Sequence, residues 1–482
     1  MTGGGGRRRS VAIIGGGVSG LTAAFVLRNA GLDVTVLEGS PRLGGKLAVS
    51  DVAGVPVDSG AEALLARRAE GIGVIDELGL TGQREVPGTT SAGIWTRDSI
   101  RPLPRRQFLG VPADFAELGR TGIVSPAGLA RAEEDCRLPA DDPGGDASVT
   151  TRVGGRLGGE VVDRLVEPLL GGVYAGRCED LSFEATLAPL AKASRSHRSL
   201  ADAAASLLPP PPPAGTAPVS APPVFTTLTA GLGTLPPALA DASGAVVRTK
   251  AMVRELTRTP AGWRLTVGSA HAPEALDADA VIVAVPGIPA SRLLADVVPA
   301  AAAALGEIKY ASMAIITLAY PVTAFPDKVT GSGFLVPAVD GRVVKAVTFS
   351  SVKWPHLQRS QPELHIVRCS VGRLGEDAIL QREDEALAAL AAADLAAATG
   401  VRGQPTEVRV TRWGGGLPQY SVGHLDRVAR IRAGIAGQPG LAVCGAAYDG
   451  VGIPACIASA RLAAGQVLAF LDSQGPAPAP AG

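Results

Sequence analysis

The chain has 482 residues, enough for two or three domains with sizeable cores. Lysine plus arginine and aspartate plus glutamate stand at 45 each, so no global field selects nucleic acid or anionic lipid as a partner. The five cysteines (Cys136, Cys178, Cys369, Cys444, Cys456) are scattered, with no metal-ligand spacing, which points to a reduced compartment and to no metal site.

Near the N-terminus, Val11–Ile14 predicts a strand that meets Gly15, Gly17 and Gly20 at G-x-G-x-x-G spacing. An apolar-periodic helix follows from Val18 to Ala30, stopped at Gly31, and a second strand from Val34 to Leu37 ends on Glu38. Glycine allows the tight turn, the approach of backbone to a pyrophosphate and the packing of helix on strand. The helix start, with Gly16, Val18 and Ser19, offers unpaired N–H groups and a partial positive charge to phosphate. Glu38, followed by Gly39, is placed to accept from ribose hydroxyls. Strand, turn, helix, strand and acid in this order predict a dinucleotide site. Arg7-Arg8-Arg9 imitates the charged start of a signal peptide, but glycines break the apolar run and Arg28 ends it too early to span a bilayer.

Next come Arg42, Gly44, Gly45 and Lys46, a second glycine pair flanked by basic side chains, and then Val57–Glu62. Further on, Val246–Val253 reads as a strand pair with Trp263–Val267, and Ala280–Val285 as a buried parallel strand. Tyr310–Pro326 suits a strand, and Leu380–Thr399 a helix with Leu387, Leu390 and Leu395 inward. Leu441–Cys444 is a short strand, and Gly445–Ile453 a glycine-rich loop. Pro454 opens a helix carrying Ile457, Leu462, Val467 and Leu468. Three segments stay outside any core: the loop at Asp141–Asp146, the proline-rich linker at Pro209–Pro223 and the tail Gly475–Gly482. No unbroken run of about 18 apolar residues occurs, so no spanning helix is expected.

The glycine pairs around Glu38 resemble the two-dinucleotide-binding-domain flavoproteins, whose R-x-G-G-[RK] element lies along the FAD pyrophosphate. The resemblance implies non-covalent FAD, with Gly60, Ala61 and Glu62 beside the flavin ring and Val253 near the adenine. It also implies that Gly445, Ala446, Val451, Gly452 and Ile453 lie at the flavin end, where a helix start would favour negative charge on the reduced ring.

Glu167–Gly176 (EPLLGGVYAG) followed by Leu181-Ser182 is similar to the signature of the oxygen-dependent porphyrinogen oxidases. Phe225–Leu235, Gly333–Pro337, Thr348–Ser351 with Lys353–Pro355, and Arg412-Trp413 with Leu417–Tyr420 and Gly423-His424 follow in that family's order. The resemblance runs from about residue 10 to 472. It implies an α/β architecture: a Rossmann-like FAD domain (10–85, 225–295, 435–472), a mixed-sheet substrate domain (86–112, 300–434) and a small helical domain (115–205) with Val161–Leu170 as an amphipathic helix.

The implied activity is oxidation of a porphyrinogen to a porphyrin with dioxygen giving hydrogen peroxide, in haem biosynthesis. No side chain is singled out as a catalytic base. Gly172 would present its carbonyl to pyrrole N–H groups, Tyr174 would line the pocket, and Trp413 would lie beside the flavin, with His424 structural. Arg67 and Arg68 are candidate propionate partners, since guanidinium binds carboxylate bidentately. The arginine of the plant and animal protoporphyrinogen enzymes falls here near Ala92, while Arg97, Arg101, Arg105 and Arg106 crowd the same region. Coproporphyrinogen III, with four propionates, is therefore the favoured substrate and protoporphyrinogen IX the alternative. An amine oxidase, a desaturase and a non-catalytic porphyrin carrier stay open as rivals. A cytoplasmic protein is expected, with at most peripheral membrane contact and haem-pathway enzymes as partners.

Overall fold

The computed structural model describes residues 7–140, 144–210 and 223–475. The proline-rich segment, the tail and the Asp141–Asp146 loop lie largely or partly outside the described residues.

Five parallel strands form the first sheet, in the order Val246–Arg248, Asp33–Leu37, Ser10–Ile14, Ala280–Val283 and Leu441–Val443. The three central strands read as near-continuous apolar runs because helices cover both faces, while the edge strand Val246–Arg248 stays partly exposed. On one face the helices Val18–Leu27, Leu235–Ser243 and Ile453–Ser473 pack around Ile13, Val36 and Ile282. On the other, Gly287–Leu294, Pro299–Gly306 and His424–Ala436 pack around Ile14, Val281 and Val283. Residues 299–306 and 424–436 therefore belong with this core, although both fall within or at the edge of the span expected for the substrate domain.

Several local expectations are corrected. The first helix ends at Leu27, not Ala30, because Ala30 N–H turns back to the Leu27 carbonyl before Gly31 at φ +67°. Val246–Arg248 does not join the Trp263 hairpin. It pairs with Asp33–Leu37, and the hairpin is instead Val253–Thr259 with Gly262–Ser269, extended by Ala272–Ala278. The Tyr310 strand stops at Pro321, and the later helix starts at Asp384 because Leu380 lies in a preceding 3₁₀ turn. Leu462 points outward, 52% exposed, on the solvent face of its helix.

The second sheet has seven strands: Glu407–Pro418, Tyr310–Pro321, Leu364–Val371, Val344–Phe349, Gly333–Leu335, Gly93–Thr96 and Ser99–Pro102. One face carries Ala314, Ile316, Phe334 and Val347 against the helix Asp384–Thr399. The opposite face is turned toward the first domain and the helical unit. That unit is built around Val153, Leu165, Leu170 and Leu190. Its expected helix runs from Gly159 to Tyr174, interrupted by a π turn at Val162–Val166, a feature often found at functional sites.

Among the described residues, Ile453–Ser473 is the one helix long and apolar enough to cross a membrane. It buries Ile457, Ala460, Ala464 and Val467 in the first core, as a central helix of this fold must.

Candidate active site

The first glycine turn and the second lie side by side. Gly44 N–H donates to the Gly16 carbonyl at 2.8 Å, and Gly17 bridges Gly44. A Cβ on Gly20 would stand 1.9 Å from the Gly15 carbonyl, whereas one on Gly17 would meet nothing within 4 Å. The turn is thus closed toward its strand and open at Gly17, the shape a pyrophosphate needs at a helix start. Gly445, at φ +132°, brings the C-terminal loop to within 4.0 Å of Ser19 Oγ, measured from its would-be Cβ. Three glycine-bearing segments, far apart in sequence, therefore meet at one helix N-terminus. Arg42 is not free for phosphate: it donates to the Leu43, Gly45 and Leu47 carbonyls and so braces its own turn.

Glu38 accepts from Gly16 N–H at 2.7 Å and Ser40 N–H at 2.8 Å, which fixes its carboxylate at the end of the strand. Backbone bonds from Glu38 to Arg248 and Ala251 bring Met252 and Val253 alongside, with Met252 Cε 2.8 Å from a Cβ built on Gly39. These residues lie together at the end of the second strand, the position expected for the adenosine end of a dinucleotide.

At the other end, Trp413 Nε1–H donates to the Ser59 carbonyl at 2.9 Å, and the Arg42 guanidinium lies 5.5 Å over its ring. Gly60 is tightly enclosed, since a Cβ would stand 1.9 Å from the Lys46 carbonyl. Ala61 N–H also reaches that carbonyl, at 3.2 Å. Burial holds the Lys46 ammonium below its ordinary range, with Cys456 of the last helix near it. Gly452 caps that helix without a side-chain acceptor, followed by buried Ile453, so its first N–H groups have no side-chain cap.

Glu62 has its carboxylate committed to two cations. It is clasped by Lys353 at 2.7 Å and by Arg368, whose Nη2 also donates to the Gly60 carbonyl at 2.6 Å. Burial alone would push the Glu62 carboxyl up, but Lys353 and Arg368 outweigh it and hold it down at about 2. Nearby Asp58 accepts from Leu232 and Gly233 N–H groups, and burial pushes its carboxyl up to about 6. The sequence offered Lys353 only as a member of a family segment and did not single out Arg368. Their partner lies some 300 positions away and leaves no local signal.

Over the second sheet, the helix Glu167–Tyr174 ends with Ala175 at φ +51°. Gly172 is exposed there and sits against Leu335 of the sheet, 3.7 Å from a would-be Cβ. Tyr174 is buried, its hydroxyl pushed up to about 12, and its ring lies 5.4 Å from Tyr420. Tyr420 stacks on His424 at 3.8 Å. Its hydroxyl donates to the Ala446 carbonyl and accepts from Gly450 N–H, both at 2.7 Å. His424 meets the Tyr448 carbonyl at 3.2 Å, and burial pushes it down to about 4, so it stays neutral. Tyr420 and His424 thus anchor the loop carrying Ala446 and Val451, a role for Tyr420 that sequence reasoning missed.

The candidate arginines are dispersed. Arg68 is held bidentately by Glu70, at 3.1 and 2.8 Å, and Arg67 is exposed beside it. Arg97 pairs with Glu160, while the Arg105 and Arg106 N–H groups bond Glu117 and the Arg106 side chain reaches the Pro209 carbonyl at 3.0 Å. Arg101 lies against Gly122. These four serve the edge of the sheet and the helical unit, so the crowding read from the sequence does not form one anion site.

A family model described as flavin containing amine oxidoreductase matches residues 18–468. The coproporphyrinogen III oxidase of Mycobacterium tuberculosis (strain ATCC 25618 / H37Rv) is 38% identical over 97% of this chain and 99% of its own length. That of Bacillus subtilis (strain 168) is 31% identical over 97% and 99%. Bovine protoporphyrinogen oxidase (Bos taurus) is 28% identical over 95% and 98%. Wild-type putrescine oxidase, in a solved structure, shares the fold with a TM-score of 0.69 at 18% identity, covering 96% of this chain and 99% of that one. The glycine cradle, the acid at its adenosine end and the enclosed turn at Gly60 fit FAD, and with this full-length likeness the chain belongs to the flavin-containing amine oxidoreductases, in their porphyrinogen oxidase branch.

Proposed function

We propose that this protein oxidises coproporphyrinogen III to coproporphyrin III, using non-covalent FAD and dioxygen. The observation that carries the reading is the placement of the Gly172 helix end over the second sheet, in a chain alike over nearly its whole length to coproporphyrinogen III oxidases. Gly15–Gly20, Gly44 and Gly45 would hold the pyrophosphate, Glu38 the ribose, Val253 the adenine end, and Gly60, Ala61, Trp413 and Gly452 the ring. When bound, the flavin supplies a hydride acceptor that dioxygen returns to its oxidised form, releasing hydrogen peroxide.

The chain's own residues orient the substrate and keep water out. Each of three oxidations removes a hydride from a meso CH₂ together with a proton; two of the protons leave pyrrole N–H groups and the third leaves the remaining meso CH₂, and the loss of six hydrogens yields the aromatic ring. The Gly172 carbonyl, at an exposed helix C-terminus, is a fitting acceptor for pyrrole N–H. Apolar Leu335 and buried Tyr174 form a wall that excludes water. Arg67 and Arg68 remain rim partners for propionates, with Arg68 exchanging Glu70 for substrate. A cytoplasmic location with at most peripheral membrane contact fits the burial of the one long apolar helix.

Purified yellow protein should convert coproporphyrinogen III to its fluorescent porphyrin with stoichiometric peroxide, and faster than protoporphyrinogen IX. FAD loading without turnover of either porphyrinogen would replace the enzyme by a carrier. Arg68→Ala should raise KM for the tetracarboxylate without loss of FAD, and an unchanged KM would remove Arg68 from the rim.

A further inference from the structure

Lys345 is the odd residue of the second sheet. Its strand pairs with Leu364–Val371, and the register slips between Val344 and Ala346, so Lys345 occupies a bulge. Bulges re-aim side chains and recur beside active sites. Lys345 is only 5% exposed, yet its Nζ has no hydrogen-bond partner among the described residues. The charges acting on it are Arg373 and Glu376, just past the end of the paired strand. Asp394, on the helix covering the other face, is instead committed to the Val343 and Val344 N–H groups.

The face toward Arg373 is the one below the Gly172 helix. Leu335, which Gly172 touches, pairs with Ala346; Ala346 pairs with Ser370, and Ser370 with Ile315. These small and apolar side chains form a row across the sheet. Toward the first domain, the next row on the same face holds Thr348 and Arg368, the latter bonded to the Gly60 carbonyl. Away from it comes Lys345. Lys345 and Thr348 are three positions apart, roughly 10 Å of strand, about the reach from the middle of a tetrapyrrole to a propionate carboxylate.

The neighbouring cations are already paired. Arg373 donates to the Val336 carbonyl at 3.0 Å and faces Glu376 at 3.5 Å. Arg177 takes Glu376 at 2.8 Å and Glu167 at 3.5 Å. Both guanidinium groups thus have carboxylate partners and Lys345 has none, close to the C-terminal end of the Gly172 helix, where Leu374 N–H ties to the Ala175 carbonyl at 2.7 Å. A buried ammonium with no partner is costly and is expected to titrate down or to await an anion. Burial and Arg373 indeed hold its ammonium down at about 7.

We propose that Lys345, backed by Arg373, is the interior binding site for one propionate carboxylate of the macrocycle, at the end of the substrate floor far from Gly60. This deepens the porphyrinogen reading and rests on it. The carboxylate supplies the missing partner of the Lys345 ammonium. Arg67 and Arg68 would then be left with propionates at the rim.

The test uses the FAD-loaded full chain and two readouts. In turnover, Lys345→Met should raise KM for coproporphyrinogen III about tenfold to a hundredfold, the loss expected for one charge-assisted bond, with the effect concentrated in KM rather than kcat. Lys345→Arg should recover most of that loss. In binding, quenching of flavin fluorescence by coproporphyrin III and by its tetramethyl ester compares acid with neutral ligand. Wild type should prefer the acid, and Lys345→Met should lose at least about tenfold of that preference.

The thermal midpoint of Lys345→Met should equal or exceed that of wild type, because an unpaired buried charge has gone. An unchanged KM and unchanged preference for the acid would overturn the assignment. A kcat collapse in both variants with KM intact would make Lys345 a proton acceptor and overturn it too. Failure of wild type to turn over any porphyrinogen would instead strike the parent reading, and the acid-versus-ester comparison would still judge the carboxylate site.

Discussion

Glu62→Gln removes one charge from a buried triad and leaves Lys353 and Arg368 facing a neutral amide. The side chains of Glu62, Lys353 and Arg368 are 14%, 16% and 7% exposed, so water can do little to screen the two remaining cations. Breaking such a pair by removing one partner costs about 3–5 kcal/mol, and partial exposure favours the lower figure. At about 2–4 °C per kcal/mol for a sizeable domain, the thermal midpoint of the variant should fall by roughly 6–12 °C at pH 7. The pH course gives a second reading. The Glu62 carboxyl is lowered in the fold from 4.5 to about 2, so its stabilisation is complete above the unfolded value and lost as pH falls toward 2. Glutamine does not titrate, so the gap between wild type and variant should narrow between pH 6 and pH 3. Thermal denaturation of the FAD-loaded proteins, followed by circular dichroism across that range, measures both. A gap under about 2 °C at neutral pH, or one unchanged on acidification, would refute the claim that the triad stabilises the fold.

Gly20→Ala should abolish FAD retention, because its methyl would stand 1.9 Å from the Gly15 carbonyl; recovery of a yellow protein would show that the turn can relax. Tyr420→Phe leaves Gly450 N–H without an acceptor and frees the Ala446 carbonyl while keeping the ring on His424. At about 1–3 kcal/mol for a buried group left unpaired, FAD affinity should fall roughly fivefold to a hundredfold by titration of apoprotein. Asp58 carries the opposite pH sign to Glu62. Its carboxyl is raised in the fold from 3.8 to about 6, so the fold binds an extra proton in that window and loses stability as pH rises through it. Asp58→Asn should therefore gain on wild type in thermal midpoint as pH rises from about 4 to about 7, and parallel curves over that range would show that Asp58 does not titrate there.

The dinucleotide half of this protein was legible in its linear order. A strand, Gly15–Gly17–Gly20, a helix and Glu38 occupy one continuous stretch, and short-range sterics and hydrogen bonding allow that stretch few other arrangements. The apolar strand at Ala280 and the Pro454 helix start were readable for the same reason, and the motifs from Glu167 onward carried the family.

Tertiary structure alone decided what lies opposite what. Whether Val246–Arg248 joins a hairpin or a sheet edge depends on which strand competes for its backbone, and Asp33–Leu37 won. Arg97, Arg101 and Arg106 are neighbours in sequence, yet their side chains go to Glu160, to Gly122 and to the Pro209 carbonyl, so closeness along the chain did not make a site. Conversely Glu62, Lys353 and Arg368 are far apart along the chain and became one charge group because burial permits no ammonium or carboxylate to stay unpaired cheaply. Periodicity reports which face of an element is apolar. The partner across that face is chosen by packing and electrostatics, and no local pattern encodes it.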